Sequence, residues 1–276
     1  MKTTVVVLLV IAGVLLLLFS VFLFLVAPGK KREGMAKYKN VKYAHRGLHG
    51  DGVCENSITA FSLAVEGGYG IELDVRLSSD GELVVFHDDT LERITGKSGR
   101  VDSYTLAELK STRLGDTDDT IPAFSEVLSL VNGKVPLLVE IKEDAMKSDV
   151  SEKTCEILSE YKGDFIVESF NPLSLGTVKK RMPGVLRGLL SQDYFRFPKY
   201  RKPLYFFLKH LLLNFTARPD FIALSHEDHG LSVFRFARKL FGVATIAWTV
   251  KSKEDEENAY NHGFDGIIFE GYRPMM

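Results

Sequence analysis

The stretch Ile71-Glu72-Leu73-Asp74-Val75 places two carboxylates two positions apart within a short apolar run. Side chains alternate between the two faces of a β-strand, so we expect Glu72 and Asp74 on one face and the three apolar residues on the other. Two acids held close together repel each other and lose hydration unless a cation neutralises them. The stretch therefore indicates a cation site, or alternatively an edge strand with two solvated acids.

A β-hairpin is predicted directly after this strand. Arg76 to Glu82 is too short a connection for a parallel crossover to the next apolar run at 83–87. Ser79-Asp80-Gly81 within it is typical of a tight turn. A turn centred near residue 80 places His87 opposite Leu73, and therefore close to the two carboxylates.

Beyond this hairpin, short apolar runs alternate with amphipathic segments, which is typical of an α/β domain. The predicted strands are 41–45, 71–75, 83–87, 136–141, 164–169, 184–190, 220–224, 243–249 and 265–269. The predicted helices are 57–66, 105–111, 123–131, 150–161, 172–181, 231–240 and 254–262. With 83–87 assigned to the hairpin, the other strands match a TIM (β/α)8 barrel, and a chain of 276 residues is long enough for one.

The N-terminus carries an apolar segment without charge from Val5 to Ala27. Such a segment is long enough to cross the roughly 30 Å hydrocarbon core of a bilayer. Ala27-Pro28-Gly29 is a poor cleavage site, so an uncleaved anchor is predicted, with a secretory leader as the alternative. Basic residues are more numerous after the segment than before it, which places the rest of the chain on the cytoplasmic side of the cell membrane. The predicted domains are the anchor at 1–28, a basic juxtamembrane linker at 29–40 and the barrel at 41–276.

Charge and cysteine content exclude some classes of protein. The net charge of −1 argues against a general nucleic-acid binder, which usually carries a strong basic excess. Cys54 and Cys155 are too few for a disulfide framework and are not spaced as in a metal knuckle.

Other predicted strands end in residues suited to the same site. Catalytic groups project from the carboxyl ends of barrel strands, which is where His45 and Arg46 lie. Glu140, in the strand 136–141, would add a third oxygen ligand, and carboxylates suit Ca²⁺ or Mg²⁺. Arg46 and Lys142 would supply positive charge for a phosphate, although each alone is also consistent with a surface ion pair.

Two histidines beside such a site are suited to phosphodiester cleavage. One group takes a proton from the attacking oxygen, and another gives a proton to the departing alkoxide. Imidazole performs both roles well because its ordinary pKa is about 6.5. The cation would offset charge on the nonbridging oxygens. His45 and His87 are the candidates.

These residues belong to an ordered set of motifs that resembles the glycerophosphodiester phosphodiesterase family. The motifs are His45-Arg46-Gly47, Glu55-Asn56-Ser57, Glu72-Leu73-Asp74-Val75, Asp80-Gly81, His87-Asp88, Glu140-Ile141-Lys142, Ser169-Phe170, Trp248-Thr249-Val250 and Phe264-Asp265-Gly266-Ile267-Ile268. The resemblance covers about residues 41–272. It implies a TIM barrel that releases an alcohol and sn-glycerol 3-phosphate from glycerophosphodiesters; some members act on lysophospholipids instead.

The resemblance also implies a role for each candidate residue. It assigns acid and base catalysis to His45 and His87, one divalent cation to Glu72, Asp74 and Glu140, the phosphate to Arg46 and Lys142, and the glycerol or lipid part to Trp248. The sequence departs from the family at Phe269-Glu270-Gly271-Tyr272, where a Thr-Asp ending is usual, and no role is assigned to Glu270. Alternatives are a lysophospholipase D, a phospholipase C-like enzyme and a noncatalytic lipid- or phosphate-binding barrel.

The segment 194–215 is not explained by these motifs. Its first part interleaves aromatic residues with basic ones, and its second part, from Leu204 to Phe215, is nearly all apolar. The apolar part is too short to span a bilayer. It is either a surface segment that lies among lipid headgroups or a barrel helix buried against its neighbours.

Overall fold

The computed structural model describes residues 2–30, 32–143 and 146–275. Its strands are β1 Lys42–Ala44, β2 Gly70–Leu77, β3 Leu83–Val85, β4 Leu137–Ile141, β5 Phe165–Ser169, β6 Arg187–Ser191, β7 Phe221–Ser225, β8 Ala244–Val250 and β9 Gly266–Phe269. They form one sheet in the order β1-β9-β8-β7-β6-β5-β4-β2-β3, and an additional β1–β2 pairing closes it. Every pairing is parallel except that of β3 with β2. The predicted TIM barrel is confirmed.

The described residues also form α-helices, most of which lie around the barrel. They are α1 Lys2–Val26, α2 Arg32–Met35, α3 Ile58–Glu66, α4 Glu92–Thr95, α5 Leu106–Lys110, α6 Phe124–Val131, α7 Asp149–Glu160, α8 Pro172–Arg181, α9 Pro203–Lys209, α10 Asn214–Ala217, α11 Ser232–Phe241 and α12 Lys253–Asn261. The seven helices predicted in the barrel are confirmed. Their ends follow local chemistry; α3, for example, begins after Ser57, whose hydroxyl accepts a hydrogen bond from the amide of Ala60 at 3.1 Å.

Strand alternation separates two hydrophobic cores. Ile71, Leu73 and Val75 point outward and join the core between the sheet and the helices. A second cluster fills the inside of the barrel and includes Tyr43, Leu138, Ile166, Phe221 and Ile268. Burying such a side chain contributes about 1.5–3 kcal/mol. The acids of β2 therefore face inward because their apolar neighbours are committed to the outer core.

The predicted hairpin is formed by β2 and β3, with Val75 opposite Val85. Gly81 has a φ of +81°, a conformation that glycine adopts at little cost, and the amide of Ser78 donates to the carbonyl of Glu82 at 2.9 Å. This register brings the chain after β3 back toward the acids of β2. Both Nε and Nη2 of Arg76 donate to the carbonyl of His87, which holds the end of the hairpin.

The apolar helix α1 is attached to the barrel at its C-terminal end. The side chains of Asn214 and Arg218 donate to the carbonyls of Val26 and Ala27 at 3.0 and 2.9 Å, and so occupy acceptors that a helix end leaves unpaired. Phe22 packs on Phe236 at 5.5 Å between ring centroids. Most of the helix before Phe22 is exposed. The segment Thr3–Val26 is long and apolar enough to cross a membrane, and a signal sequence has the same properties.

The segment predicted as a linker contacts the barrel. The amide of Gly29 donates to the carbonyl of Pro219 at 2.7 Å. Met35 and Tyr38 are buried in the same cluster as the residues inside the barrel, beside Leu186. The division at residues 28 and 40 stays a prediction, but this part of the chain packs on the domain rather than extending from it.

Candidate active site

The carboxylates of Glu72, Asp74 and Glu140 meet at one point inside the barrel. Asp74 and Glu140 are paired in register on the adjacent strands β2 and β4. One oxygen from each of the three carboxylates lies within 4.8 Å of the others, and all three residues are buried. The structure thus brings together the acids that the sequence nominated as metal ligands.

Cationic and amide groups surround this acid cluster. The ammonium of Lys142 lies 2.7 Å from Glu140 Oε2 and 3.1 Å from Asp74 Oδ1. The guanidinium of Arg46 lies 3.4 Å from Asp74 Oδ2, and the Arg46 backbone amide donates to Glu72 at 2.8 Å. Asn56 donates to Asp74 at 2.8 Å. Both predicted phosphate-binding residues therefore lie at the cluster.

The loop after β1 adopts an uncommon backbone conformation that makes these contacts possible. Arg46 and Asn56 both have a φ of +55°, in the left-handed region that few residues other than glycine occupy. Gly47 follows with a φ of +81°, and a Cβ on it would lie 2.8 Å from the Cβ of Ala60. The glycine of the His-Arg-Gly motif is therefore required by close packing on α3, which sets the direction of Arg46.

Burial and mutual repulsion disfavour the ionised forms of two of these acids. Burial, with Asp74 and Glu140 nearby, raises the pKa of Glu72 well above its ordinary value. Burial also raises the pKa of Glu140 to about 7, against the opposing effect of Lys142. Burial alone would raise the pKa of Asp74 too, but Lys142, His87 and Arg46 together hold it below its ordinary value. The cluster therefore has fewer positive charges than its carboxylates require.

Both predicted catalytic histidines are held by carboxylates through the same ring nitrogen. His45 Nδ1 lies 2.6 Å from Glu270 Oε2, and His87 Nδ1 lies 2.6 Å from Asp88 Oδ1. Arg93 in turn binds Asp88 and helps to fix it. An ionised carboxylate accepts a hydrogen bond from Nδ1–H, so Nε2 of each neutral imidazole keeps a free lone pair. Each ring can thus exchange a proton through Nε2.

The charge states agree with this tautomer. Burial lowers the pKa of His87 to about 4 and also lowers that of His45, so both imidazoles are neutral at pH 7. The hydrogen bond from His45 lowers the pKa of Glu270 to about 2. The hydrogen bonds from Arg93 and His87, opposed by burial, lower that of Asp88 to about 2. The two carboxylates are ionised whenever the imidazoles are neutral.

Trp248 lies at the same end of the barrel, where it packs against the inner cluster. Its ring stands edge-on to Phe170 at 5.6 Å. Its indole N–H is buried and has no hydrogen-bond partner among the described residues. The side chain therefore offers both an apolar face and an unused donor.

Two further acids at this site were missed in the sequence. The sequence assigns no role to Glu270, although this residue directly follows β9 and its carboxylate is hydrogen-bonded to His45. Glu168 on β5 is paired in register with Glu140, is 1% exposed, and has a buried Oε2 without a partner in the described structure. Burial raises the pKa of Glu168 well above its ordinary value. Both lie in or directly after short apolar strands, the pattern that had singled out Glu140.

Comparison with known proteins agrees with this geometry. The model of the glycerophosphoryl diester phosphodiesterase family matches residues 45–271. The chain belongs to that family. A glycerophosphodiester phosphodiesterase of Caldanaerobacter subterraneus is 35% identical over 249 residues, which cover 83% of this chain and 93% of the relative. This family member is therefore a phosphoric diester hydrolase.

Solved structures of similar proteins share the barrel. The glycerophosphodiester phosphodiesterase of Thermotoga maritima matches with a TM-score of 0.64 and 28% identity, over 83% of this chain and 94% of that one. An Oleispira antarctica phosphodiesterase, solved in complex with its product sn-glycerol-3-phosphate, matches with a TM-score of 0.70 and 24% identity over 85% and 94%. At that identity the second likeness shows the fold alone.

Proposed function

We propose that this family member hydrolyses glycerophosphodiesters to an alcohol and sn-glycerol 3-phosphate, with one divalent cation and two imidazoles. The proposal rests on one observation: the same barrel contains a cluster of three buried carboxylates and two histidines, His45 and His87, that are each hydrogen-bonded to a carboxylate. The name of the Caldanaerobacter subterraneus relative, glycerophosphodiester phosphodiesterase, supports this substrate class.

Glu72, Asp74 and Glu140 would hold the cation. Their donors are all carboxylate oxygens, which fit Ca²⁺ or Mg²⁺ and do not resemble the nitrogen and sulfur sets that favour zinc. Burial beside Asp74 and Glu140 raises the pKa of Glu72, and a cation held by the three carboxylates would lower it. When bound, the cation would offset charge on the nonbridging phosphate oxygens.

The residues of the chain would divide the remaining work. Lys142 and Arg46 would hold the phosphate, since their cationic groups already lie at the acid cluster. One of His45 and His87 takes the proton of the attacking oxygen at Nε2, and the other, protonated beside the anionic phosphate, gives a proton to the departing alkoxide. Trp248 would lie against the glycerol or lipid part of the substrate.

The N-terminal segment is included in the proposal as a membrane anchor. We expect residues 1–28 to be retained, the basic segment 29–40 to follow on the cytoplasmic face, and the barrel at 41–276 to lie in the cytoplasm. The hydrogen bonds from Asn214 and Arg218 to the end of α1 support retention of this helix, because cleavage would remove contacts that the barrel domain makes.

A substrate panel tests the proposed reaction. Purified full-length protein is incubated with glycerophosphodiesters of different headgroups, and sn-glycerol 3-phosphate is measured with and without a chelator. We expect release that the chelator abolishes and that Ca²⁺ or Mg²⁺ restores. Release that is insensitive to chelation would contradict the cation, and binding of glycerophosphocholine without any release would favour a noncatalytic barrel.

A further inference from the structure

A second group of potential metal ligands lies beside the acid cluster. His45, His49 and Glu270 each offer one ligand atom, and these three atoms lie within 4.8 Å of one another. None of the three residues belongs to the set proposed to hold Ca²⁺ or Mg²⁺. His49 has no part in the proposed reaction, so its position beside the other two needs a separate explanation.

The two clusters differ in ligand chemistry. The acid cluster offers carboxylate oxygens alone, which suit hard cations. The second cluster offers two imidazoles and one carboxylate, and imidazole nitrogen favours zinc and similar transition metals. Two histidines and one glutamate form a three-ligand set that zinc uses, with water in the fourth position.

His49 carries a buried nitrogen that is available for such an ion. Its Nε2 is buried and has no hydrogen-bond partner among the described residues. Buried polar atoms are nearly always paired in native proteins, so an unpaired one calls for a ligand. Burial lowers the pKa of His49, which leaves the ring neutral at pH 7, as metal binding requires. The amide of His49 donates to the carbonyl of Gly47 at 3.1 Å, which restrains the backbone that carries the ring.

The cluster is accessible from a cavity of about 500 Å³. His49 and Glu270 both line this cavity, and so does Asp51, whose negative charge favours the entry of a cation. The ammonium of Lys251 lies 3.5 Å from Glu270 Oε1, but its side chain is 64% exposed. Such an exposed ion pair is weak, so Lys251 can move into solvent when a metal ion binds.

We propose that His45, His49 and Glu270 form an inhibitory zinc site, occupied through this cavity. The inhibitory role rests on the proposed function, because it acts through the catalytic His45. Glu270 Oε2 lies 2.6 Å from His45 Nδ1, so a zinc ion held by both residues would take the Nδ1 lone pair. The one ring proton would then lie on Nε2, and no proton would be gained or lost overall.

This change of tautomer would block both possible roles of His45. With a proton already on Nε2, the ring cannot accept another there while zinc occupies Nδ1. It can give up that proton only by becoming an imidazolate. His45 would therefore serve neither as base nor as acid, while the cation at the acid cluster stayed in place.

A zinc titration tests the site without requiring turnover. Full-length protein in detergent, saturated with Ca²⁺ or Mg²⁺, is titrated with Zn²⁺ by isothermal titration calorimetry. We expect His49→Gln to weaken zinc binding at least about tenfold, because even the loss of a group that only orients a metal ligand has an effect of that size. His262→Gln is the matched control. It alters another pair of imidazoles, His229 and His262, whose rings lie 3.7 Å apart, and zinc affinity at the proposed site should be unchanged.

The inhibitory role is measured as choline release from glycerophosphocholine with Ca²⁺ or Mg²⁺ at saturation. The rates with and without Zn²⁺ are compared within each variant. Saturating Zn²⁺ should lower the rate of the wild type and of His262→Gln about 10²- to 10⁴-fold, the contribution of one acid–base group. The zinc concentration for half-inhibition should be at least about tenfold higher in His49→Gln.

The outcomes separate the site, its role and the underlying reaction. Unchanged zinc affinity in His49→Gln would overturn the site. Inhibition that extra Ca²⁺ or Mg²⁺ relieves, and that His49→Gln retains, would place the zinc at the acid cluster instead and would also overturn it. Zinc binding that depends on His49 but leaves the rate unchanged would refute the inhibitory role. Absence of choline release before zinc is added would contradict the proposed hydrolysis and the inhibitory role together, and the calorimetric titration would still decide the zinc site.

Discussion

Replacing Glu270 by glutamine removes the negative charge that holds His45 while keeping the size of the side chain. The carboxylate lies 2.6 Å from His45 Nδ1 and its side chain is 26% exposed. A hydrogen bond to a charged group contributes about 1.5–3 kcal/mol, and partial exposure favours the lower part of that range. If catalysis depends fully on this bond, kcat/KM should fall by about 10- to 150-fold.

The pH profile distinguishes this positioning role from a loss of folding. Burial lowers the pKa of His45, and Glu270 opposes that effect by hydrogen bonding and charge. Without the carboxylate the pKa of His45 should fall further, so the inflection that it contributes to kcat/KM moves to lower pH. Glu270 itself does not titrate in the assay range, because its pKa is about 2.

The assay is headgroup release from glycerophosphocholine between pH 5 and 9, with melting temperature recorded for each variant. Lys251→Gln is the matched control. Lys251 is an exposed ion-pair partner of the same carboxylate, 3.5 Å from Glu270 Oε1, and is not hydrogen-bonded to His45. Glu270→Asp should recover part of the rate. An unchanged rate and pH profile in Glu270→Gln, with a wild-type melting temperature, would refute the role assigned to this bond.

Three further predictions concern His87 and the cation. His87→Ala should lower kcat by about 10²- to 10⁴-fold, because the ring transfers a proton in the proposed reaction. The melting temperature should change little, since the side chain is partly exposed. A wild-type kcat in this variant would exclude His87 as a catalytic residue. Glu140→Gln should weaken Ca²⁺ binding at least about tenfold by isothermal titration calorimetry. In the wild type, Ca²⁺ affinity should fall as pH drops from 8 to 6, since the pKa of Glu140 is about 7 and its protonated form cannot bind the ion; pH-independent affinity would contradict this.

Much of the fold was readable from local patterns. The alternation of Glu72 and Asp74 with apolar neighbours assigned the acids to the inner face of β2, and the turn before β3 predicted the hairpin. Glu270 and Glu168 could not be recognised from the sequence, because a single acid in or after a short strand can be either a site residue or a solvated surface acid. Only the folded structure shows that Glu270 contacts His45 and that Glu168 lies beside Glu140 on the adjacent strand, because the partners are distant in sequence.

The sequence by itself determined which residues lie on which face of each strand, since side-chain direction follows from backbone periodicity alone. It also determined the family, because the order of its motifs reflects that same set of strand ends. Only the tertiary structure decided which side chains meet. Closing the barrel between β1 and β2 brings His45 to the acids of β2, and packing of the segment before β7 places Tyr194, Leu204 and Leu213 in the same pocket as Glu140 and Lys142. Those contacts depend on the register and closure of the whole sheet, which local periodicity does not encode.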